Sequence, residues 1–247
     1  MDLQLEGRLA LVTGASQGIG AAIAQTLAEE GCDVVLVGRS LENLEIRAAA
    51  ISQSTGRRIS IEAADISRPD GVEIVAANWG HADILVNNAG AIPGGRIDEV
   101  NDTAWRDAWD LKVFGYINLI RLIFPKMAER KHGTIVNVIG AAAQIRDPSY
   151  ICGVAGNAAL AALTMSLGSD SHHSGIRVVG VNPGPVATAR LLKLQESVPS
   201  STARPFGRPA DPEEIAAAVA FLASPKSGYT TGTVLTIDGG ISARAAA

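Results

Sequence analysis

One glycine-rich stretch in the sequence has the residue types and spacing to bind phosphate groups. Residues 13–20 run Thr-Gly-Ala-Ser-Gln-Gly-Ile-Gly, between an apolar run at 9–12 and a helical run that continues to Glu30. Gly14 permits a tight turn, Gly18 lets the backbone approach a pyrophosphate, and Gly20 lets helix and strand pack closely. The start of the helix adds unpaired N–H groups and a positive dipole. With a second apolar run at 34–37, this is a strand–helix–strand unit typical of dinucleotide binding.

Arg39 follows the second strand, where the ribose of a dinucleotide would lie. A carboxylate at this place would bind both ribose hydroxyls and repel a 2′-phosphate. The sequence instead has Gly38 and then Arg39, and a guanidinium can pair a phosphate through two hydrogen bonds. We therefore predict NADP(H) as the cofactor, in preference to NAD(H). The alternative is that Arg39 stacks on the adenine or caps the next helix.

Lys112 is a further candidate for chemistry. It lies seven residues after Trp105, three after Trp109 and four before Tyr116, spacings that place it on one helix face with three aromatic side chains. If it is buried, its pKa falls, which suits a general base or an amine nucleophile toward carbonyls. The alternative is that Lys112 bonds backbone carbonyls and only supports the fold.

The elements that must position these residues alternate between strand and helix. Strands are predicted at 9–12, 34–37, 58–64, 83–87, 134–139, 177–181 and 233–237, and helices at 41–54, 69–79, 101–130, 149–171 and 212–222. This order predicts an α/β fold: a single-domain Rossmann fold over 1–247, with a doubly wound parallel sheet of about seven strands and helices on both faces. Residues 187–208 are predicted to form a substrate flap; the alternative is a surface excursion without a role.

The composition and charge of the chain limit the kinds of partner that we expect it to bind. The chain has 247 residues and a net charge of −4, which argues against nucleic acid. The N-terminus has no signal-peptide pattern and no run approaches a membrane span, so we expect no membrane partner and a cytoplasmic protein. Cys32 and Cys152 are not expected to form a disulfide, and no residues have metal-ligand spacing.

Over nearly its whole length the sequence resembles the short-chain dehydrogenase/reductase family. The resemblance depends on the 13–20 loop, on Asp65, on the run Asn87-Asn88-Ala89-Gly90, on Asn182-Pro183-Gly184, on Thr231-Gly232 and on Asp238-Gly239-Gly240. It implies a small-molecule substrate and a homo-oligomer, a dimer or tetramer. The cofactor-binding residues that the loop and the resemblance together indicate are Gly14, Ser16, Gln17, Gly18, Ile19, Gly20, Arg39, Asp65, Ile66, Asn88, Ala89, Gly90, Pro183, Gly184, Val186 and Thr188.

The resemblance fails at the residues that carry the family's chemistry. Members normally have a tyrosine and, four residues later, a lysine, together with a serine and an asparagine on neighbouring elements; no tyrosine here has a lysine at that spacing. Alignment places Lys112, Gly140, Gly153 and Asn157 at the asparagine, serine, tyrosine and lysine positions. Asparagine and lysine thus look exchanged between two helices, and with Gly140 and Gly153 the pocket beside the nicotinamide is expected to be open.

The candidate catalytic residues are Lys112, Asn157 and Tyr150, which lies one helical turn before Gly153. The favoured hypothesis is an NADP(H)-dependent oxidoreductase that acts on a carbonyl or alcohol by a non-standard mechanism. A second hypothesis is a non-redox lyase, isomerase or hydratase that uses Lys112. A third is a catalytically inactive nucleotide-binding sensor or partner subunit.

Overall fold

The computed structural model describes residues 1–191 and 205–245. Seven strands form one parallel sheet: β1 Leu9–Thr13, β2 Asp33–Gly38, β3 Ile59–Ala63, β4 Ile84–Asn87, β5 Gly133–Val138, β6 Ile176–Pro183 and β7 Thr233–Ile237. The helices are α1 Gly18–Glu29, α2 Leu41–Thr55, α3 Pro69–Trp79, α4 Asp102–Trp109, α5 Gly115–Arg130, α6 Ala142–Ile145, α7 Ile151–Asp170, α8 Pro212–Ala223 and α9 Ile241–Ala245. The predicted doubly wound α/β sheet is confirmed.

The strand order is β3-β2-β1-β4-β5-β6-β7, so the order reverses between β1 and β4. Both faces of the sheet are covered, because successive residues of each buried strand face opposite helix layers. Ala10 and Val12 pack with α1 and α8, whereas Leu11 packs with α3 and α5. Loops at the carboxyl ends of β1 and β4 therefore flank the crevice where open parallel sheets bind their ligands.

The predicted continuous helix over 101–130 is wrong in one respect that matters for the site. Residues Asp110–Phe114 form a π-helical turn between α4 and α5. The wider turn breaks the regular spacing, so the predicted single aromatic face does not form: Trp105 and Trp109 pack with Cys152, while Tyr116 packs with Ile139 in a separate cluster. Such turns within α-helices are frequent at functional sites.

Helix α7 is the longest helix and lies against the sheet. Together with the short 3₁₀ turn that follows, the helix is long enough and apolar enough to cross a membrane, judged by length and composition alone. Within the structure the helix packs against β6 and β7, and Gly168 contacts the backbone of Gly232 so closely that a Cβ would overlap it. The helix is thus part of the core of this domain. The two cysteine thiols are free and buried.

Candidate active site

The loop that connects β1 to α1 has the backbone geometry that a phosphate-binding turn requires. Gly14 and Gly18 have positive φ angles of 64° and 57°, a conformation that is strained for residues with a side chain. A Cβ at Gly20 would overlap the Gly14 carbonyl, so α1 can approach the loop only with glycine there. The tight turn predicted at Gly14 and the close helix approach predicted at Gly20 agree with this geometry.

The N-terminus of α1 is open toward the loop. Its N-cap residue Gln17 is exposed and makes no capping hydrogen bond through its side chain, Ser16 is half-buried, and Ile19 packs against the core. The first N–H groups of the helix are therefore not capped by the Gln17 side chain, and they point in the direction that suits an anion. Across the loop, Thr188 lies against Gly18, with its Cγ2 3.3 Å from where a Cβ would stand.

The run after β4 supports this loop directly. The Thr13 hydroxyl accepts hydrogen bonds from the backbone N–H groups of Asn88 and Ala89 at 2.9 and 3.1 Å. The Asn88 side chain donates to the carbonyls of Thr13 and Gly14 at 2.9 and 3.3 Å. Asn88 thus fixes the two crevice loops to each other, a structural role that the sequence pattern did not specify.

The residues predicted near the adenine and ribose lie at the carboxyl ends of β2 and β3. Arg39 is exposed directly after β2. The following residue, Ser40, caps α2 through its hydroxyl, which accepts from the backbone N–H of Asn43; Arg39 therefore is not the helix cap. Asp65 accepts two hydrogen bonds from Ser67, and Ile66 is buried beneath the loop.

The segment after β6 closes the other side of the crevice. The Pro183 carbonyl accepts from the backbone N–H of Ala141, and Gly184 donates to the Ile237 carbonyl. Gly184 packs so closely on Asp238 that a Cβ would stand 2.8 Å from its Cα. Val186 is buried. Most of the predicted flap, 187–208, lies outside the described residues; its ends, 187–191 and 205–208, are described.

Lys112 lies on the π-helical turn and reaches the end of β5. Its stem packs on Gly90, where a Cβ would stand 3.0 Å from the lysine Cδ, and its ammonium donates to the Ile139 carbonyl. Burial, and to a smaller extent the nearby charge of Arg190, together lower the pKa of Lys112 to about 7. Lys112 therefore has both properties that the sequence left as alternatives: it bonds a backbone carbonyl, and its pKa is near neutral.

Asn157, on α7, fills the space beside Gly140. Its side-chain amide donates to the Gly140 carbonyl at 3.4 Å, and its nitrogen lies 2.8 Å from where a Cβ at Gly140 would stand. Asn157 is only 3% exposed, and within residues 1–191 and 205–245 its Oδ1 has no hydrogen-bond partner. A buried acceptor of this kind is costly unless a ligand or water supplies a donor.

Tyr150 occupies the space beside Gly153. A Cβ at Gly153 would overlap the Tyr150 ring, so the aromatic side chain from one turn earlier stands where Gly153 lacks its own. Burial raises the pKa of the Tyr150 phenol, and Arg190 partly offsets this rise. The expected open pocket over Gly140 and Gly153 is therefore wrong, because Asn157 and Tyr150 fill it. Gly156 is a packing glycine, because a Cβ there would contact Trp109 and Val113.

Arg190 is a member of this cluster that sequence reasoning missed. It lies six residues after Gly184, and its guanidinium donates to the Gly90 carbonyl at 3.2 Å, to the Ile92 carbonyl at 2.9 Å and to the Tyr150 hydroxyl at 3.4 Å. The available signal was its position: Arg190 is the first arginine after the Asn182-Pro183-Gly184 motif. Among the described residues, no group of three or more His, Cys, Asp or Glu side chains is placed to hold a metal ion.

The glycine loop, the open helix start and the order reversal between β1 and β4 are the features of a Rossmann fold. The family model described as Enoyl-(Acyl carrier protein) reductase matches residues 14–242. The chain belongs to the short-chain dehydrogenase/reductase family of oxidoreductases.

Individual relatives match along their full length. The chain is 34% identical to 3-oxoacyl-(acyl-carrier-protein) reductase FabG of Vibrio cholerae, over 97% of this chain and 99% of that protein. It is 37% identical to cis-4-hydroxycyclohexanecarboxylate dehydrogenase of Sinomonas cyclohexanicum, over 96% and 97%. The crystal structure of L-sorbose reductase from Gluconobacter frateurii, complexed with NADPH and L-sorbose, superposes with a TM-score of 0.89 at 32% identity and covers 98% of each chain.

Proposed function

We propose that this protein is an NADP(H)-dependent oxidoreductase that interconverts a ketone and an alcohol. The observation that carries the cofactor assignment is the position of Arg39, exposed directly after β2, whose carboxyl end lies beside that of β1 where the glycine loop begins. The positive φ angles at Gly14 and Gly18 and the close approach at Gly20 fit a bound pyrophosphate. The L-sorbose reductase structure contains NADPH, which supports the choice of the phosphorylated cofactor.

The proposal assigns the proton chemistry to Lys112 and Tyr150. When bound, NADPH supplies a hydride to the carbonyl carbon, and the carbonyl oxygen must gain one proton. Lys112 has a pKa of about 7, so near neutral pH its ammonium can give up a proton and regain it from water. The Tyr150 hydroxyl, held by Arg190, orients the substrate oxygen. The Asn157 Oδ1, which has no partner among the described residues, accepts a hydrogen bond from a ribose or substrate hydroxyl, which satisfies the buried acceptor.

The cofactor preference is tested by binding. NADPH and NADH are titrated into the wild type, Arg39→Gln and the control Arg121→Gln, which removes an exposed arginine on α5. We expect NADPH to bind more tightly than NADH, and Arg39→Gln to lose about tenfold or more for NADPH alone, because charge-assisted hydrogen bonds contribute roughly 1.5–3 kcal/mol. Tighter binding of NADH, or equal losses in Arg39→Gln and Arg121→Gln, would contradict the proposal.

The reaction is tested with ketones that correspond to the relatives' names: a 3-oxoacyl thioester, L-sorbose and 4-oxocyclohexanecarboxylate. We expect NADPH oxidation with at least one of them. Lys112→Met should abolish it, whereas the control Lys126→Met, a lysine that donates to the Ala76 carbonyl on α3, should not. Substrate turnover without a change in nicotinamide absorbance would favour the non-redox hypothesis. Tight NADPH binding with no turnover would favour the sensor or partner-subunit hypothesis.

We also propose that the protein works in the cytoplasm as a homo-oligomer. Exposed large apolar side chains support self-association; they are Phe114 on the π-helical turn, Leu122 on α5, Met165 on α7 and Leu235 on β7. Light scattering on the purified protein should give the mass of a dimer or tetramer, and a monomeric mass across the concentration range would contradict this.

A further inference from the structure

Among the described residues, the Arg190 guanidinium donates only to acceptors that carry no charge. The three acceptors of its guanidinium in the described part of the chain are two backbone carbonyls and the Tyr150 hydroxyl. A guanidinium has five N–H donors, and the bonds to described residues use three of them. A carboxylate adds an ion-pair attraction that neutral carbonyl and hydroxyl acceptors lack, and it can bond a guanidinium through two parallel N–H groups. A carboxylate that enters this space would therefore displace or add to the present bonds.

A second cation stands beside Arg190. The Lys112 stem packs on Gly90, whose carbonyl accepts from Arg190, and the charge of Arg190 contributes to the lowered pKa of Lys112. Both groups thus converge on the loop after β4, in a protein whose net charge is −4. A site that holds two cations together attracts an anion, because bound negative charge relieves their mutual repulsion.

We propose that Arg190 binds a carboxylate of the substrate and that the protein acts on keto acids or hydroxy acids rather than on neutral ketones. The carboxylate bonds the guanidinium between Gly90 and Tyr150. The carbonyl to be reduced then lies within the space bounded by Tyr150, Lys112 and Asn157. Arg190 is therefore a specificity-determining residue. Because the guanidinium donates to the Tyr150 oxygen, the Tyr150 O–H remains able to bond the substrate oxygen.

The inference rests on the proposed function for its catalytic consequence, but its binding step is tested without turnover. Cyclohexanecarboxylate and its methyl ester, which have no carbonyl group that the enzyme would reduce, are titrated into the NADP⁺-saturated protein. We expect the acid to bind about ten- to hundredfold more tightly than the ester. Arg190→Gln should remove this difference and Arg190→Lys should retain part of it. The control Arg106→Gln, which removes an exposed arginine paired with Asp102, should leave it unchanged.

Equal affinity for acid and ester, or an unchanged difference in Arg190→Gln, would overturn the inference whatever the enzyme catalyses. The corresponding keto acid and its methyl ester separate recognition of the carboxylate from positioning of Tyr150. For 4-oxocyclohexanecarboxylate against its methyl ester, Arg190→Gln should lower kcat/KM for the acid about ten- to hundredfold more than kcat/KM for the ester. Equal losses for both would show that Arg190 only positions Tyr150, and would also overturn the inference. If neither probe is reduced while the binding difference holds, the proposed reaction fails and the carboxylate site stands.

Discussion

Replacing Lys112 by methionine should change how the stability of the protein depends on pH. The lysine pKa falls from 10.5 to about 7 on folding, which corresponds to roughly 5 kcal/mol against the charged form. This figure is an upper bound, because the Lys112 residue keeps partial solvent exposure and water screens its charge. Between these two pKa values the unfolded chain binds more protons, so the free energy of unfolding rises with pH.

The sign of the expected effect follows from this difference in protons. In the wild type, the burial cost is fully present below about pH 7 and disappears as the pH rises toward 10.5. Lys112→Met has no such cost, but it leaves the Ile139 carbonyl without its donor, a loss of about 1–3 kcal/mol that does not vary with pH. The free energy of unfolding of the variant, relative to that of the wild type, should therefore be highest near pH 7 and should decrease as the solution becomes alkaline.

Urea denaturation of the cofactor-free proteins measures this difference directly, at fixed protomer concentration because association changes apparent stability. From about pH 7 to about pH 10, the difference between Lys112→Met and the wild type should change by up to roughly 1.4 kcal/mol per pH unit. Lys226→Met, which removes an exposed lysine, controls for the loss of one charge. A difference that stays flat across this range would refute the account of Lys112 as a buried amine.

Three further predictions follow from the same site. Gly153→Ala should lower the free energy of unfolding by about 1–3 kcal/mol despite the better helix propensity of alanine, because the added methyl group overlaps the Tyr150 ring. Gly156→Ala should lower the free energy of unfolding by less. Thermal unfolding measures both variants, and a higher Tm for Gly153→Ala than for the wild type would contradict the packing. Gly140→Ala should cost about 1 kcal/mol or more, because φ is 134° there, and a neutral result in the same assay would exclude backbone strain. If Lys112 donates the proton, kcat/KM for ketone reduction should fall as pH rises through about 7, and a pH-independent rate would remove Lys112 from that role.

The fold was predictable because its signals are local and repeated. The strand runs are apolar and short, the helices follow at regular intervals, and the predicted element over Pro69–Trp79 matches its helix in full. The glycine loop was predictable for a different reason, since positive φ angles and close backbone approach restrict Gly14, Gly18 and Gly20 to one residue type. Boundaries elsewhere shift by a residue or two, as at β1 and α2.

The candidate site was less predictable because its contacts are long-range. The π-helical turn at Asp110–Phe114 has no clear sequence signature, yet it determines where Lys112 lies. The approach of Tyr150 to Gly153 and of Asn157 to Gly140 depends on rotamers and on how α7 packs against β5. The sequence indicated missing side chains at the two glycines but could not indicate which neighbours fill the space.

The transfer of a hydride from NADPH to a ketone tests the central claim most directly. The protein is incubated with NADPH that carries deuterium at both hydrogens of nicotinamide C4 and with 4-oxocyclohexanecarboxylate, L-sorbose or a 3-oxoacyl thioester, and the products are analysed by mass spectrometry. The account predicts an alcohol that carries one deuterium on the former carbonyl carbon. NADPH that binds tightly while every ketone remains unreduced, or a product without deuterium, would contradict it.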